Sequence, residues 1–287
     1  MIDPADDLRR LLEAPGLLPM PCCFDALSAR LVEAAGFRLT FMSGFSVAAA
    51  RLGLPDTGLI SYGEMVDQGR AICGAVSIPV IGDGDTGNGN PMNVRRTVSG
   101  YARAGFAGVM IEDQLAPKRC GHTRGKEVVP RGEALARIRA AVDAREAGAE
   151  ILIMARTDAR ATLGLDEALE RARAFAELGA DILFVEAPCS RDELERIGRE
   201  LPGAKLANLV EGGDTPLLAP AELEALGFKI AAWPVTLLSA SMRAMQEALS
   251  ALAAGRTPER LLDWPELRKL VGFDAYDAQL DRYRDTE

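Results

Sequence analysis

The segment Ala104-Gly105-Phe106-Ala107-Gly108-Val109-Met110-Ile111-Glu112-Asp113 contains the unit from which most of the chain is built. Its first glycine can adopt the left-handed conformation that ends a helix. The apolar run that follows predicts a buried strand, and this strand ends at two carboxylates. The segment therefore predicts a helix end, a buried strand and a polar strand terminus in close succession.

The same order of signals recurs along the chain. Amphipathic helical patterns separate eight apolar runs, which predicts parallel strands joined by helices. Eight such units predict a closed (β/α)8 TIM barrel, and a doubly wound open sheet is the alternative. The other helix-ending glycines are Gly36, Gly148, Gly179 and Gly227, and the strands are predicted to begin near Leu18, Arg38, Ile78, Ala107, Glu150, Asp181, Lys205 and Phe228.

Composition narrows the class of protein. The chain has 287 residues, of which 48% are hydrophobic and 26% charged, so it can bury one large core. Its net charge of -9 argues against nucleic acid and anionic membranes as partners. The apolar runs are too short to span a membrane. Five cysteines without a CxxC pair or a secretory signal lead us to expect a cytoplasmic protein with reduced thiols.

The domain prediction is a barrel over residues 1–255 and a helical extension over residues 256–287. The extension is polar at its start and mostly charged at its end, but it carries eight large apolar side chains in between. So many apolar groups are not expected to remain in water. The extension is therefore predicted to pack on its own barrel or on a neighbouring subunit.

Polar residues at the predicted strand ends indicate a metal site. Asp83 and Asp85 would project from one side if their strand continued, and Glu112 ends the next strand. Carboxylate oxygens suit a hard cation such as Mg²⁺, and three carboxylates together would repel one another without one. The alternative is that strand-end acids cap helices, which explains Asp25. It does not explain Arg156, whose buried charge needs partners.

A second candidate group surrounds the single histidine, His122. Cys120 lies near Lys118, Arg119 and Arg124, and positive neighbours lower the pKa of a thiol and favour a role in proton transfer. An inert loop cysteine is the alternative. Zinc is disfavoured because one histidine and no paired cysteines cannot supply its usual ligands.

Lys118-Arg119-Cys120-Gly121-His122 resembles the K-[KR]-C-G-H signature of the isocitrate lyase / phosphoenolpyruvate mutase superfamily. Further matches extend the resemblance from about residue 15 to about residue 250. Their order and coverage make the resemblance specific. The matching segments are Ser43-Gly44, Leu52-Gly53-Leu54-Pro55-Asp56, Asp83-Gly84-Asp85-Thr86-Gly87, Ile111-Glu112-Asp113-Gln114, Ala155-Arg156-Thr157-Asp158, Asn208, Glu211-Gly212-Gly213 and Thr215-Pro216.

The resemblance implies a TIM barrel that forms a homotetramer, with the eighth helix exchanged between paired subunits. It also implies Mg²⁺, with Mn²⁺ as an alternative, and a small anionic substrate. Cys120 would protonate an enolate carbon. The implied metal ligands are Asp83 and Asp85, with Asp56 and Glu112 acting mostly through water; the implied substrate contacts are Ser43, Gly44, the Phe45 backbone, Gly121, His122, Arg156, Glu186 and Asn208.

The implied reaction is cleavage of a 2-hydroxy dicarboxylate to an α-keto acid and a carboxylic acid. Pro234 resembles the lyases, since oxaloacetate hydrolases of the superfamily usually have serine there. Ser239 stands where methylisocitrate lyases usually have an arginine, which favours a 2-alkylmalate over a tricarboxylate. We expect Phe45, Trp233 and Leu237 to form the pocket wall.

Four alternatives stay open at this point. They are carboxyphosphonoenolpyruvate mutase-type phosphonate chemistry, methylisocitrate lyase, oxaloacetate hydrolase or decarboxylase, and a metal-binding barrel that acts as a sensor. The sensor is the least favoured, because a binding protein has no need of a proton donor such as Cys120.

Overall fold

The strands form one closed parallel barrel in the order in which they occur in the chain. The computed structural model describes residues 3–119 and 125–284. Each strand pairs in parallel with the next, and β8 pairs with β1 to close the barrel. The predicted TIM barrel is confirmed. Its strands are β1 Leu18–Cys23, β2 Thr40–Met42, β3 Val80–Asp83, β4 Gly108–Glu112, β5 Leu152–Thr157, β6 Ile182–Val185, β7 Ala204–Asn208 and β8 Ile230–Trp233.

Helices follow the strands and surround them. A π-helical segment, Ala48–Leu52, continues the third α-helix. In the described residues the α-helices are α1 Pro4–Glu13, α2 Ala26–Ala34, α3 Gly44–Val47, α4 Tyr62–Cys73, α5 Pro91–Ala104, α6 Arg131–Glu146, α7 Ala159–Leu163, α8 Leu165–Glu177, α9 Arg191–Glu200, α10 Pro220–Ala225, α11 Thr236–Ala253, α12 Trp264–Val271 and α13 Phe273–Asp281.

The local signals in the sequence account for these boundaries. Gly105 ends α5 with φ 98°, a value that side chains disfavour, and the four other predicted glycines also have positive φ. Asn90 caps α5 and Pro91 opens it, while Asp25 caps α2, as predicted. Every strand begins within two residues of its predicted start.

Two apolar clusters hold the barrel together. Alternate strand residues, such as Met110 and Met154, fill the interior, and the residues between them pack outward on the helices. Leu8 and Leu11 of α1 belong to the interior cluster. A side chain at Gly108, the first residue of β4, would lie 3.2 Å from Leu8. Helix α1 therefore closes the amino end of the barrel and leaves the carboxyl end for polar groups.

The chain divides into two compact units, Met1–Leu237 and Leu238–Glu287. The first contains all eight strands. The second contains most of α11 together with α12 and α13. The predicted domain boundary after residue 255, and the surface on which the extension packs, stay predictions. Within residues 3–119 and 125–284, no helix combines the length and the apolar character that crossing a membrane requires.

Candidate active site

The carboxyl ends of six neighbouring strands direct their last inward residue into the mouth of the barrel. The side chains two positions earlier on these strands belong to the interior cluster. Because strand side chains alternate, the next inward positions face the same space one layer higher. That layer is polar on five strands, in contrast to the apolar layers beneath it. Its members are Asp83, Glu112, Arg156, Glu186, Asn208 and Pro234.

The acidic side of this layer is built on β3 and β4. Asp83 is buried, and its two carboxylate oxygens accept hydrogen bonds from the backbone N–H groups of Gly44, at 3.1 Å, and Asp85, at 3.0 Å. Burial raises the pKa of Asp83, the neighbouring Asp85 carboxylate raises it further, and Lys118 opposes both effects. A cation placed beside Asp83 would therefore stabilise its ionised form.

Asp85 reaches this site by a turn. Strand β3 does not continue to Asp85, because it ends at Asp83 and Asp85 has φ 50°, so the condition for the two side chains to project from one side of a strand is not met. The Asp85 N–H bends back to the Asp83 carboxylate, which is the local hydrogen bond that lets aspartate tolerate this conformation. The two aspartates still converge, but through a turn.

Lys118 lies among these carboxylates. Its Nζ is 2.6 Å from Asp56 Oδ1 and 2.8 Å from Asp85 Oδ1, and all three side chains are buried or nearly so. Burial alone would lower the pKa of Lys118, but Asp85, Asp83, Asp56 and Glu112 together raise it well above the usual value. Lys118 therefore stays charged and serves as the counter-ion of the acidic group.

The donor set fits a hard divalent cation, although its members do not converge on one point. In residues 3–119 and 125–284, no three His, Cys, Asp or Glu side chains are close enough together to hold a metal ion. Among the described residues, Glu112 Oε1 is nevertheless buried without a hydrogen-bond partner, and Asp56 Oδ1 and Asp85 Oδ1 have only their ion pairs with Lys118. Buried oxygens with unused lone pairs are what Mg²⁺ requires. Asp56, Asp83, Asp85 and Glu112 could supply them.

Arg156 occupies the opposite side of the layer. Its Nε and Nη2 donate to Asp158 at 2.8 and 3.0 Å, and the same nitrogens approach Glu112 at 3.3 Å and Glu186 at 3.4 Å. The guanidinium also lies over the Phe184 ring, 5.0 Å from its centre. Burial lowers the pKa of Arg156, but the three carboxylates raise it well above its usual value, so the group stays charged.

Asp158, which accepts from Arg156, is itself held by Lys126 and Asp113. Its Oδ1 also accepts from Lys126 Nζ at 3.0 Å, and its N–H donates to Asp113 Oδ1 at 2.8 Å. Asp113 in turn accepts from Thr157 and Arg171. Burial raises the pKa of Asp158, but Arg156 and Lys126 outweigh it and lower the pKa to about 2. Asp158 is thus a permanent anion at the base of the arginine.

The remaining predicted contacts lie around the same opening. Asn208 donates to both oxygens of Glu186, at 3.2 and 3.4 Å. Ser43 caps α3, since its hydroxyl accepts from the Ser46 N–H, and Gly44 is held against Asp83. Phe45 is partly exposed beside them. The predicted residues of β3 to β7 are therefore brought together around one opening.

Three predicted site residues, Cys120, Gly121 and His122, lie outside the described residues. The segments on either side of them are joined at their base. Leu115 N–H donates to Glu127 O at 2.8 Å, and the side-chain amide of Gln114 exchanges two hydrogen bonds with the Arg119 backbone at 2.9 Å each. Lys118 and Lys126 lie on these paired segments and reach different sides of the site, Asp56 and Asp85 for Lys118 and Asp158 for Lys126.

A family model described as phosphoenolpyruvate phosphomutase matches residues 8–253 of the chain. The chain belongs to this family. The superfamily resemblance carried by the motifs is therefore confirmed. A relative, 2,3-dimethylmalate lyase of Eubacterium barkeri, is 44% identical over 274 residues, covering 94% of each chain.

Solved structures share this fold over nearly the whole chain. An oxaloacetate acetylhydrolase in complex with 3,3-difluorooxalacetate has a TM-score of 0.94 at 35% identity and covers 99% of both chains. A phosphonopyruvate hydrolase in complex with oxalate and Mg²⁺ has a TM-score of 0.86 at 31% identity, covering 98% of this chain and 99% of that one. The relatives thus include more than one chemistry on one barrel.

In this phosphomutase-family chain, the residue pattern predicted no site role for Lys126 or Asp158, and for Lys118 it predicted only an influence on Cys120. The signal that could have indicated such roles is charge balance, because six acids at the barrel mouth need more cations than Arg156 alone. The pocket wall also differs from the prediction. Trp233 packs on the outer cluster, and Ala232 is the residue that faces the interior, as strand alternation requires.

Proposed function

We propose that this protein is a Mg²⁺-dependent carbon–carbon lyase. Its substrate would be a 2-hydroxy dicarboxylate of the 2-alkylmalate type, and its products an α-keto acid and a carboxylic acid. The observation that carries the proposal is the position of Arg156 within 3.3 Å of Glu112, which places a carboxylate-binding cation beside a group of buried acids. The 44% identity to a 2,3-dimethylmalate lyase supports the substrate class.

Asp83 and Asp85 would hold Mg²⁺, with Asp56 and Glu112 acting mostly through water; Mn²⁺ is an alternative. Their unused buried oxygens support this assignment, and so does the Mg²⁺ complex of the phosphonopyruvate hydrolase relative. When bound, the cation would stabilise negative charge that develops on the substrate oxygens.

Arg156 would bind a substrate carboxylate. All its hydrogen bonds to described residues come from Nε and Nη2, so Nη1 is the edge offered to the substrate. Ser43, Gly44 and the Phe45 backbone would surround a carboxylate and the enolate oxygen. Glu186 and Asn208, already hydrogen bonded to each other, would contact the other end of the substrate, and Gly121 and His122 would complete the contacts. Fixed charges on buried side chains stabilise a developing charge strongly because they need not reorganise during the reaction.

The proposed chemistry requires one proton acceptor and one proton donor. A base removes the proton from the C2 hydroxyl, the C2–C3 bond breaks, and its electron pair remains on C3 as a carbanion conjugated with the carboxylate. The thiol of Cys120 then gives its proton to C3. The thiolate left on Cys120 takes up the proton released from the hydroxyl and becomes a thiol again, so protons and electrons balance over one turnover.

Pro234 bears on the choice between cleavage and hydrolysis. It has neither a hydroxyl nor an N–H to offer to a substrate, and its carbonyl accepts from Ser46 Oγ at 3.2 Å. Hydrolysis of oxaloacetate is the second candidate function, because the oxaloacetate acetylhydrolase structure matches 99% of the chain. The position of Pro234 favours the lyase.

The test is an assay for α-keto acid release in Mg²⁺. The compounds would be 2,3-dimethylmalate, citramalate, 2-methylisocitrate, isocitrate and oxaloacetate. Cys120→Ala should lower kcat by at least about 100-fold, as expected for loss of a proton donor. Cys189→Ala is the matched control, since Cys189 is an exposed free cysteine and its loss should leave kcat unchanged.

Two outcomes would redirect the proposal. Release that survives in Cys120→Ala would remove the cysteine from its role and favour hydrolysis or decarboxylation. Release from none of the five compounds would contradict the lyase and direct the assay to phosphonates, which the family description makes the next class to test.

We also propose a homotetramer in the cytoplasm. The apolar side chains of α11 to α13 that remain exposed in the single chain support self-association. Free thiols at Cys22, Cys23, Cys73 and Cys189 support a reducing location.

A further inference from the structure

Lys126 is a buried cation with no role in the proposed chemistry. Its side chain is 4% exposed, and its Nζ lies 3.0 Å from Asp158 Oδ1, while the Asp158 side chain is completely buried. Burying a lysine is costly unless the charge is well paired. Asp158 already has a two-point pairing with Arg156, so its hydrogen-bonding needs do not by themselves require a second cation.

The surroundings of Arg156 explain what the second cation contributes. Three carboxylates, Asp158, Glu112 and Glu186, face one guanidinium. With Arg156 as their only counter-ion, this side of the site would carry excess negative charge and repel an anionic substrate. Lys126 offsets one of these charges at the carboxylate that orients the arginine.

The geometry adds a second effect. Lys126 and Arg156 Nη2 share one oxygen of Asp158, while Arg156 Nε takes the other. The backbone of Asp158 is also fixed, because its N–H donates to Asp113 Oδ1. A carboxylate held by two side chains on a fixed backbone cannot rotate freely, so the guanidinium bound to it is held in one orientation.

We propose that Lys126 is a positioning residue that acts through Asp158 on Arg156. It holds the guanidinium with Nη1 facing the substrate carboxylate, and it keeps the positive charge of Arg156 from being fully neutralised by the surrounding carboxylates. This inference rests on the proposed role of Arg156 as the carboxylate-binding group. Lys126 does not touch the substrate in this arrangement. It sets the affinity for the anion, and the bond-breaking step is left to other groups.

The test compares Lys126→Met with the native enzyme in saturating Mg²⁺. The dissociation constant of oxalate, measured by calorimetry, should rise about tenfold or more, because a hydrogen bond between charged groups is lost behind the arginine. KM for the cleaved substrate should rise by a similar factor, and kcat should change by less than about threefold. Lys126→Arg, which keeps the charge, should recover most of the affinity.

A spectroscopic measurement separates positioning from general loss of structure. In protein with ¹⁵N-labelled arginine, the Nε–H signal of Arg156 can be assigned by its absence in Arg156→Lys. Lys126→Met should shift or broaden this signal in the metal-free protein, because the Asp158 carboxylate loses one of its two cations. Lys205→Met is the matched control, since Lys205 is equally buried but donates to the backbone carbonyls of Leu201 and Gly203.

The outcomes separate this inference from the proposed function. If Arg156→Lys weakens oxalate binding but Lys126→Met changes neither the affinity nor the Nε–H signal, the role of Lys126 is wrong and the proposed site stands. If Arg156→Lys leaves oxalate binding intact, the proposed role of Arg156 itself is wrong. Should Lys126→Met fail to fold, Lys126→Gln replaces it, because glutamine can still donate to Asp158 without a charge.

Discussion

Gly44 shows how a single missing side chain shapes the site. A Cβ built at this position would lie 2.5 Å from Asp83 Oδ2, the oxygen to which the Gly44 N–H donates. Gly44→Ala should therefore displace the Asp83 carboxylate and weaken Mg²⁺ binding by about tenfold or more, since ligand orientation is worth that much in metal sites. Calorimetric titration with Mg²⁺ would measure the change.

Gly132 is the control for Gly44, because a side chain fits at this position without displacing a neighbour. It lies in the first turn of α6, its φ is not positive, and a Cβ there would meet nothing within 4 Å. Gly132→Ala should leave Mg²⁺ affinity unchanged and stabilise the protein by up to about 1 kcal/mol. Equal losses of Mg²⁺ affinity in the two variants would contradict the argument for Gly44.

Glu112 links the site to pH. Burial raises its pKa well above the usual value, and the attraction of Arg156 does not compensate. In metal-free protein this carboxyl group contributes stability below its unfolded pKa of about 4.3, and the contribution is lost as pH rises through the folded value. Glutamine has no proton to lose, so Glu112→Gln should abolish this pH-dependent loss of stability. The metal-free variant should be more stable than the native protein at pH 7 by at least about 1 kcal/mol.

Urea unfolding between pH 5 and pH 8 in a chelator would test the effect of Glu112→Gln. Glu177→Gln is a suitable control because Glu177 is exposed on α8. The control should follow the native curve. A native protein whose stability rises over this range in parallel with Glu112→Gln would contradict the assigned direction.

At the scale of elements, helix α5 fixes the end of strand β3. The hydroxyl of Tyr101 donates to the Asp83 carbonyl at 2.6 Å, and its ring stacks on Phe106, 4.8 Å between centres. Tyr101→Phe would leave a buried carbonyl without this partner and should destabilise the protein by roughly 1–3 kcal/mol. The substitution should also weaken Mg²⁺ binding, because Asp83 loses the bond that fixes its backbone and its carboxylate is a proposed metal ligand.

Tyr62 provides the comparison for Tyr101. It also packs on α5, where Arg96 lies over its ring at 4.4 Å, and its hydroxyl donates to no described residue. Tyr62→Phe should change stability by no more than about 0.5 kcal/mol. Urea titrations of both variants measure the difference, and similar losses in the two would show that the hydroxyl of Tyr101 has no special role.

The elements themselves were predictable because their signals are local. A glycine after each helix, an apolar run after each glycine and a polar group after each run depend on neighbours in the chain, and these signals led to the barrel and to Glu112, Arg156 and Asn208. Asp85 was grouped with Asp83 on the condition that their strand continued, and it approaches Asp83 through a turn. The turn that carries it depends on its own hydrogen bond to Asp83, which spacing does not reveal.

The ion pairs of the site were not predictable in this way. Lys118 pairs with Asp56 across 62 positions of the sequence, and Lys126 pairs with Asp158 across 32. Such contacts depend on where a loop returns to the barrel, and the residue pattern around each lysine carries no sign of it. Charge balance shows that the site needs further cations, but it does not show which lysines supply them.

At the scale of the whole molecule, helix α11 has an apolar face that remains exposed in the single chain. Met242, Met245, Leu249 and Leu252 are spaced three or four residues apart, so they line one side of the helix, and each is about half exposed or more. The sequence predicted an apolar extension after residue 255. Exposed apolar side chains also occur before that residue, on α11.

We expect this face to be buried between copies of the chain, because a stripe of four large apolar groups on one helix is unfavourable in water. Leu249→Glu combined with Leu252→Glu should convert the proposed tetramer to smaller species, as measured by size-exclusion chromatography with light scattering. Met92→Glu is the control, since Met92 is 69% exposed on α5 in the barrel unit and should leave the mass unchanged. Because every strand lies in the Met1–Leu237 unit, the double variant should keep its far-ultraviolet circular dichroism. A native protein that is already monomeric at micromolar concentration would contradict both the tetramer and this role for α11.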